Sequence, residues 1–88
     1  MTISTTPNWA PLELRVRSLR GNIDLIREFM WMYRDEDARM EYYKHRFTRR
    51  YLHLHEDGRC FGRAESGLIE VDFEKELQRV RCLREGNN

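Results

Sequence analysis

Tyr51-Leu52-His53-Leu54-His55-Glu56-Asp57-Gly58 decides how the middle of this 88-residue chain folds. Apolar and polar side chains alternate from Leu52 to His55, the period of a strand with one face buried. Asp57-Gly58 then supplies the favoured two-residue hairpin turn. With that turn Glu56 faces Arg59, His55 faces Cys60, Leu54 faces Phe61 and His53 faces Gly62. Leu52, Leu54 and Phe61 would point to the core, and His53, His55 and Cys60 would share the opposite face.

Upstream of this stretch, Tyr42, Tyr43, Phe47, Thr48 and Tyr51 favour a pleated surface, so strands are predicted near residues 41–46, 49–55 and 59–63. A long helix is the rival reading, because Leu12, Leu19, Ile26, Tyr33, Met40, Phe47 and Leu54 repeat every seven residues. Its companion series breaks at Asp37 and Lys44, the positions that follow Met30, and the sheet is the better account. Further towards the N-terminus Leu12, Val16, Leu19, Ile23, Ile26, Met30 and Tyr33 form one helical stripe. This outweighs the shorter alternation of Leu12, Leu14 and Val16. The stripe predicts helix from about Trp9 to about Asp37, with Asn8 as its cap and Pro11 tolerated in the first turn. Gly21-Asn22 is where it would divide in two.

Downstream, Glu65-Ser66-Gly67 reads as a turn and residues 68–71 as a short strand. Asp72 caps a last helix with Phe73, Leu77, Val80 and Leu83 on its apolar stripe, and Gly86 ends it. The expected fold class is α+β: an N-terminal helix or helix pair, a small antiparallel sheet built on a β-hairpin, and a C-terminal helix. Residues 1–8 are expected to be a flexible tail and residues 9–86 a single domain.

Hydrophobic residues make up 40% of the chain and charged ones 35%, enough for one core and too apolar for a disordered chain. Cys60 and Cys82 occur without a secretory leader, which points to free thiols and a cytoplasmic protein. The longest apolar run, Phe29-Met30-Trp31-Met32-Tyr33, is far too short to span a membrane. On a helix that run would be apolar all round, so a second subunit is expected to compete with a purely monomeric state.

The net charge of +1 conceals a segregation. Residues 22–41 hold six acids against three arginines, whereas residues 44–63 hold six bases against Glu56 and Asp57. Lys44, Arg46, Arg49, Arg50, Tyr51, Arg59 and Arg63 are therefore the candidate binding residues. Arginines pair with carboxylates or phosphates while aromatic rings stack, so this segment suits an acidic protein partner first and nucleic acid second. The plainer account buries the tyrosines and lets the guanidiniums snorkel to solvent. A third reading groups His53, His55 and Cys60 as the start of a metal or activated-thiol site, but the set lacks a fourth ligand and an orienting group. No metal or cofactor is assigned.

No catalytic residue is assigned either. Ser4, Ser18 and Ser66 lie outside any nucleophile-elbow context, and the five glycines are isolated instead of forming a phosphate-cradling loop. Asp35-Glu36-Asp37 are consecutive and do not converge on one point.

Overall fold

A computed structural model describes residues 3–4, 6–20 and 23–82, the first two by backbone alone. The expected break at Gly21-Asn22, and the ending of the last helix by Leu83 and Gly86, lie outside the described residues. Within them the chain is α+β, with an antiparallel sheet and a helix towards each end.

Helix α1 spans Ala10–Ser18, with Pro11 in its first turn, where a missing N–H costs nothing. The Asn8 side chain accepts a hydrogen bond from the Ala10 N–H, so Asn8 helps to start the helix although Trp9 is its boundary residue. Arg20, in the left-handed region at φ 57°, ends that turn of chain. A 3-10 segment over Ile23–Glu28 follows. Strand β2 then runs Phe29–Asp35, and here the expected long helix fails. A continuous bulky apolar run of this length satisfies a strand as well as a helix.

The other strands are β1 (Ile3–Ser4), β3 (Met40–His45), β4 (Tyr51–His55), β5 (Cys60–Ala64) and β6 (Gly67–Val71). They pair in sequence order, each antiparallel to the next. Two residues of the expected tail, Ile3 and Ser4, thus form an edge strand against Asp35 and Arg34. Helix α2 spans Phe73–Arg81, and the Asp72 carboxylate accepts from the Lys75 N–H as the cap.

Both helices pack on one face of the sheet. Leu12 and Val16 of α1 and Phe73, Leu77 and Val80 of α2 meet Tyr43, Leu52, Leu54 and Cys60 in a single buried cluster. Gly62 lies where α2 passes closest: a Cβ there would stand 3.4 Å from a Glu76 carboxylate oxygen. Glu41 is fully buried beside this cluster and stays satisfied, because Trp31 Nε1, Asn8 Nδ2 and the Arg34 guanidinium all donate to it. Arg34 also reaches Glu36 and Glu56, so part of the acidic run serves to anchor this arginine. These carboxylates hold the Arg34 pKa above its ordinary value, and Arg34 in turn pulls that of Glu56 down.

The β4–β5 hairpin differs from expectation by one residue. His53 pairs with Phe61 and Leu54 with Cys60, so the loop is Glu56-Asp57-Gly58 instead of Asp57-Gly58. The Gly58 N–H donates to the His55 carbonyl, the His55 N–H donates to the Arg59 carbonyl, and Gly58 sits at φ 100°. This is the three-residue loop with a left-handed glycine at its end. A slip of one residue turns every β5 side chain over. Cys60 is consequently in the core with Leu52 and Leu54, and Phe61 joins His53 and His55 on the far face.

No helix among the described residues is long and apolar enough to cross a membrane. The all-round apolar helix that suggested a second subunit is strand β2, so that argument for a dimer loses its premise.

Candidate functional site

The face of the sheet turned away from the helices is unusually rich in rings. The strand registers place Tyr33, Tyr42, His53 and Phe61 in one row across four strands, with Glu70 at the end of the row on β6. Tyr33 and Tyr42 stack with centroids 4.3 Å apart, and His53 meets Tyr42 edge-on at 4.8 Å. Tyr51 lies beside His53 on the same face of β4, and the Lys44 ammonium stands over the Tyr51 ring, 5.7 Å from its centroid. Arg59 covers Phe61 in the same manner, at 5.5 Å. A register irregularity between Trp31 and Tyr33 brings Tyr33 onto this face while Trp31 packs on the core side.

The seven candidate binding residues separate into two groups. Arg46 donates through Nε to the Arg27 carbonyl, and Arg50 donates to the carbonyls of Arg79 and Cys82 at the end of α2. The Thr48 hydroxyl donates to the Val80 carbonyl from the same loop. The β3–β4 loop thus closes off the C-terminal end of α2. His45, almost fully buried, fixes that loop: its Nδ1 accepts from the Phe47 and Thr48 N–H groups, so Nε2 carries the proton towards Glu28. Glu28 also receives Arg81 through two hydrogen bonds, and this pairing lowers its pKa.

Lys44, Tyr51 and Arg63 belong to the open face, with Arg49 at the loop beside Tyr51. Arg59 is held by Asp57 at 2.9 Å. β4 and β5 pair only at His53 and Leu54, and they part beyond His53. A cleft of about 250 Å³ occupies the parting, lined by Arg49, Arg50, Tyr51, His53, Arg63 and Arg79. Sequence reasoning placed Arg49, Arg50, Tyr51 and Arg63 among the binding residues but missed Arg79, which comes from α2, and His53, which it assigned to a metal reading.

A wider cleft of about 620 Å³ lies near the start of α2, lined by Arg15, Arg59, Cys60, Glu70, Asp72 and Phe73 among others. Asp72 there caps α2 and Arg59 holds Asp57, while the Arg15 guanidinium lies over Phe73 with its Nε buried and without a hydrogen-bond partner among the described residues. The Cys60 thiol is pushed up to about 12 by burial, so it stays protonated and unreactive at neutral pH. Cys60 also faces away from His53 and His55, which corrects the expected grouping of the three, and no cluster of three metal-ligating side chains forms among the described residues.

No known protein family, curated protein or solved structure matches this chain.

Proposed function

We propose that this chain is a binding module that engages single-stranded nucleic acid across the open face of its sheet. The observation that carries the reading is the Tyr33–Tyr42–His53–Phe61 row, flanked along one side by Lys44, Arg49 and Arg63. Rings on an uncovered sheet offer apolar surface to bases, and adjacent cations meet the backbone phosphates. The rings already pack on one another, so little side-chain freedom is lost on binding. The acidic protein partner, which the sequence put first, becomes the second reading. It is favoured by exposed Leu68, which pairs with Arg63 and extends the basic end with apolar surface.

Fluorescence anisotropy with short single-stranded oligonucleotides at low salt tests the first reading. Binding should weaken steeply as salt rises. Replacing Tyr42 and Phe61 by alanine should cost about tenfold or more in affinity per lost stack. Absence of binding at low salt, or affinity indifferent to both substitutions, would leave the acidic-peptide reading in its place.

A further inference from the structure

The cleft where β4 and β5 part has a composition that the row of rings does not explain. Four guanidiniums line it, from Arg49, Arg50, Arg63 and Arg79. Arg79 is paired with Glu76 through two hydrogen bonds of 3.1 and 2.7 Å. Arg50 is already engaged, donating to the backbone carbonyls of Arg79 and Cys82. The charge open to a ligand is therefore that of the other two arginines, Arg49 and Arg63. The side chains of Arg49 and Arg63 make no hydrogen bond or ion pair with the described residues.

His53 adds a second, independent sign. It is 4% exposed, and its Nδ1 is buried without a hydrogen-bond partner among the described residues. Leaving a polar atom in that condition costs about 1–3 kcal/mol, which a ligand recovers if the ring turns Nδ1 towards it on binding. Burial, and after it the Arg63 charge, push the His53 pKa below its ordinary value, so the ring is neutral at pH 7. A neutral imidazole offers one N–H and one lone pair. The ligand that complements guanidiniums and such a ring together is an anion able both to accept and to donate.

We infer that this cleft is a phosphate subsite, taking a phosphomonoester or orthophosphate with Arg49 and Arg63 on its oxygens and His53 at its base. A monoester has its second ionisation near pH 6, so close to neutrality part of it carries a P–OH that can donate to the imidazole. An internal phosphodiester has no such proton. The inference deepens the proposed function, resting on it only for what the phosphate is attached to: a strand ending in a phosphate would place that end here, with its terminal base against Tyr51.

The test is a nuclear magnetic resonance titration of the full chain with three probes at about pH 7: orthophosphate, a 5′-phosphorylated dinucleotide and the same dinucleotide without the terminal phosphate. Orthophosphate should move the His53 ring and the Arg63 side-chain signals. The phosphorylated dinucleotide should bind about tenfold more tightly than its unphosphorylated form. Arg63→Gln should weaken orthophosphate about tenfold, whereas Arg17→Gln, on α1, should leave it unchanged; the amide spectrum of each variant reports that it is folded. Shifts confined to exposed arginines with His53 still, or equal affinity for both dinucleotides, would overturn the subsite. If orthophosphate moves His53 while longer oligonucleotides fail to bind at low salt, the subsite stands and the nucleic-acid reading falls. If oligonucleotides bind and orthophosphate leaves His53 unmoved, the subsite alone falls.

Discussion

Strand β4 shows the two faces of this protein in five residues. Leu52 and Leu54 point one way, fully buried against the helices. Tyr51, His53 and His55 point the other way, where rings lean on rings, and of the three only His53 is buried, with Arg79 of α2 near it. The covered face is ordinary: apolar volume, one satisfied carboxylate in Glu41, and a glycine where a helix comes near. The open face of an antiparallel sheet needs only polar side chains to be stable in water. This one carries four rings in a single row and, beside them, a cleft where Arg49 and Arg63 make no ion pair with the described residues. The difference separates what the fold requires from what it does not, and the unrequired surplus is where binding is read.

The largest effect that can test this contrast is on stability. Leu52→Ala removes side-chain volume from a site with no room to relax, and should cost about 3 kcal/mol. Phe61→Ala, one strand away on the open face, should cost about 1 kcal/mol, the scale of a cross-strand pair. Urea unfolding of both variants measures the gap directly. Equal losses would mean that the open face is core in disguise, and the argument for a binding surface would lose its foundation. Glu41→Ala belongs with the covered face: it strands the Trp31 and Asn8 donors, while Arg34 keeps Glu36 and Glu56, and should cost about 2 kcal/mol in the same measurement.

How far each face could be read from sequence differs for physical reasons. The β4 alternation and the α2 stripe behind Asp72 were legible because each repeats a period that only one element makes. Strand β2 was not. Its irregularity between Trp31 and Tyr33 sets Met30 and Tyr33 on the same face three residues apart, which is the step of a helix. A bulged strand thus reproduced the helical stripe. The open face was half legible: the clustering of Tyr42, Lys44, Tyr51 and Arg63 was visible in the charge pattern. Phe61 was missed because Asp57-Gly58 fits a two-residue loop and a three-residue loop alike. Arg46 and Arg50 could not be separated from the true surface cations, since the backbone carbonyls they serve depend on tertiary contacts.

The hairpin loop gives a test of intermediate size. Gly58 at φ 100° is what permits the three-residue loop, and that loop assigns Cys60 to the core and Phe61 to the open face. A Cβ at Gly58 would meet Arg15 and Leu14 only at ordinary contact distances of 3.6 and 3.8 Å, so the cost of Gly58→Ala is a backbone cost. It should be about 1–2 kcal/mol in urea unfolding. A neutral result would mean that the loop has rearranged, and the accessibility of Cys60 to a thiol reagent would reveal whether the register slipped with it.

The smallest effect sharpens the comparison most, because it concerns a residue that belongs to the open face yet is buried. His53 is surrounded by Tyr42, Tyr51 and Phe61 on the sheet, by Arg63 from β5, and by Glu76 and Arg79 from α2. Desolvation is the leading cause of its lowered pKa, and Arg63 adds to it. The unfolded chain, with an imidazole near 6.5, therefore takes up a proton that the folded chain refuses. Stability from this group is complete above that value and is lost as pH falls towards the lower folded pKa. Urea unfolding at about pH 7.5 and about pH 5.5 should show a fall in the native protein, steepest at about 1.4 kcal/mol per pH unit. His53→Phe keeps a ring in the row and removes the titration, so its fall should be shallower, every other ionisable group being common to both proteins. Parallel slopes would mean that His53 is solvated after all.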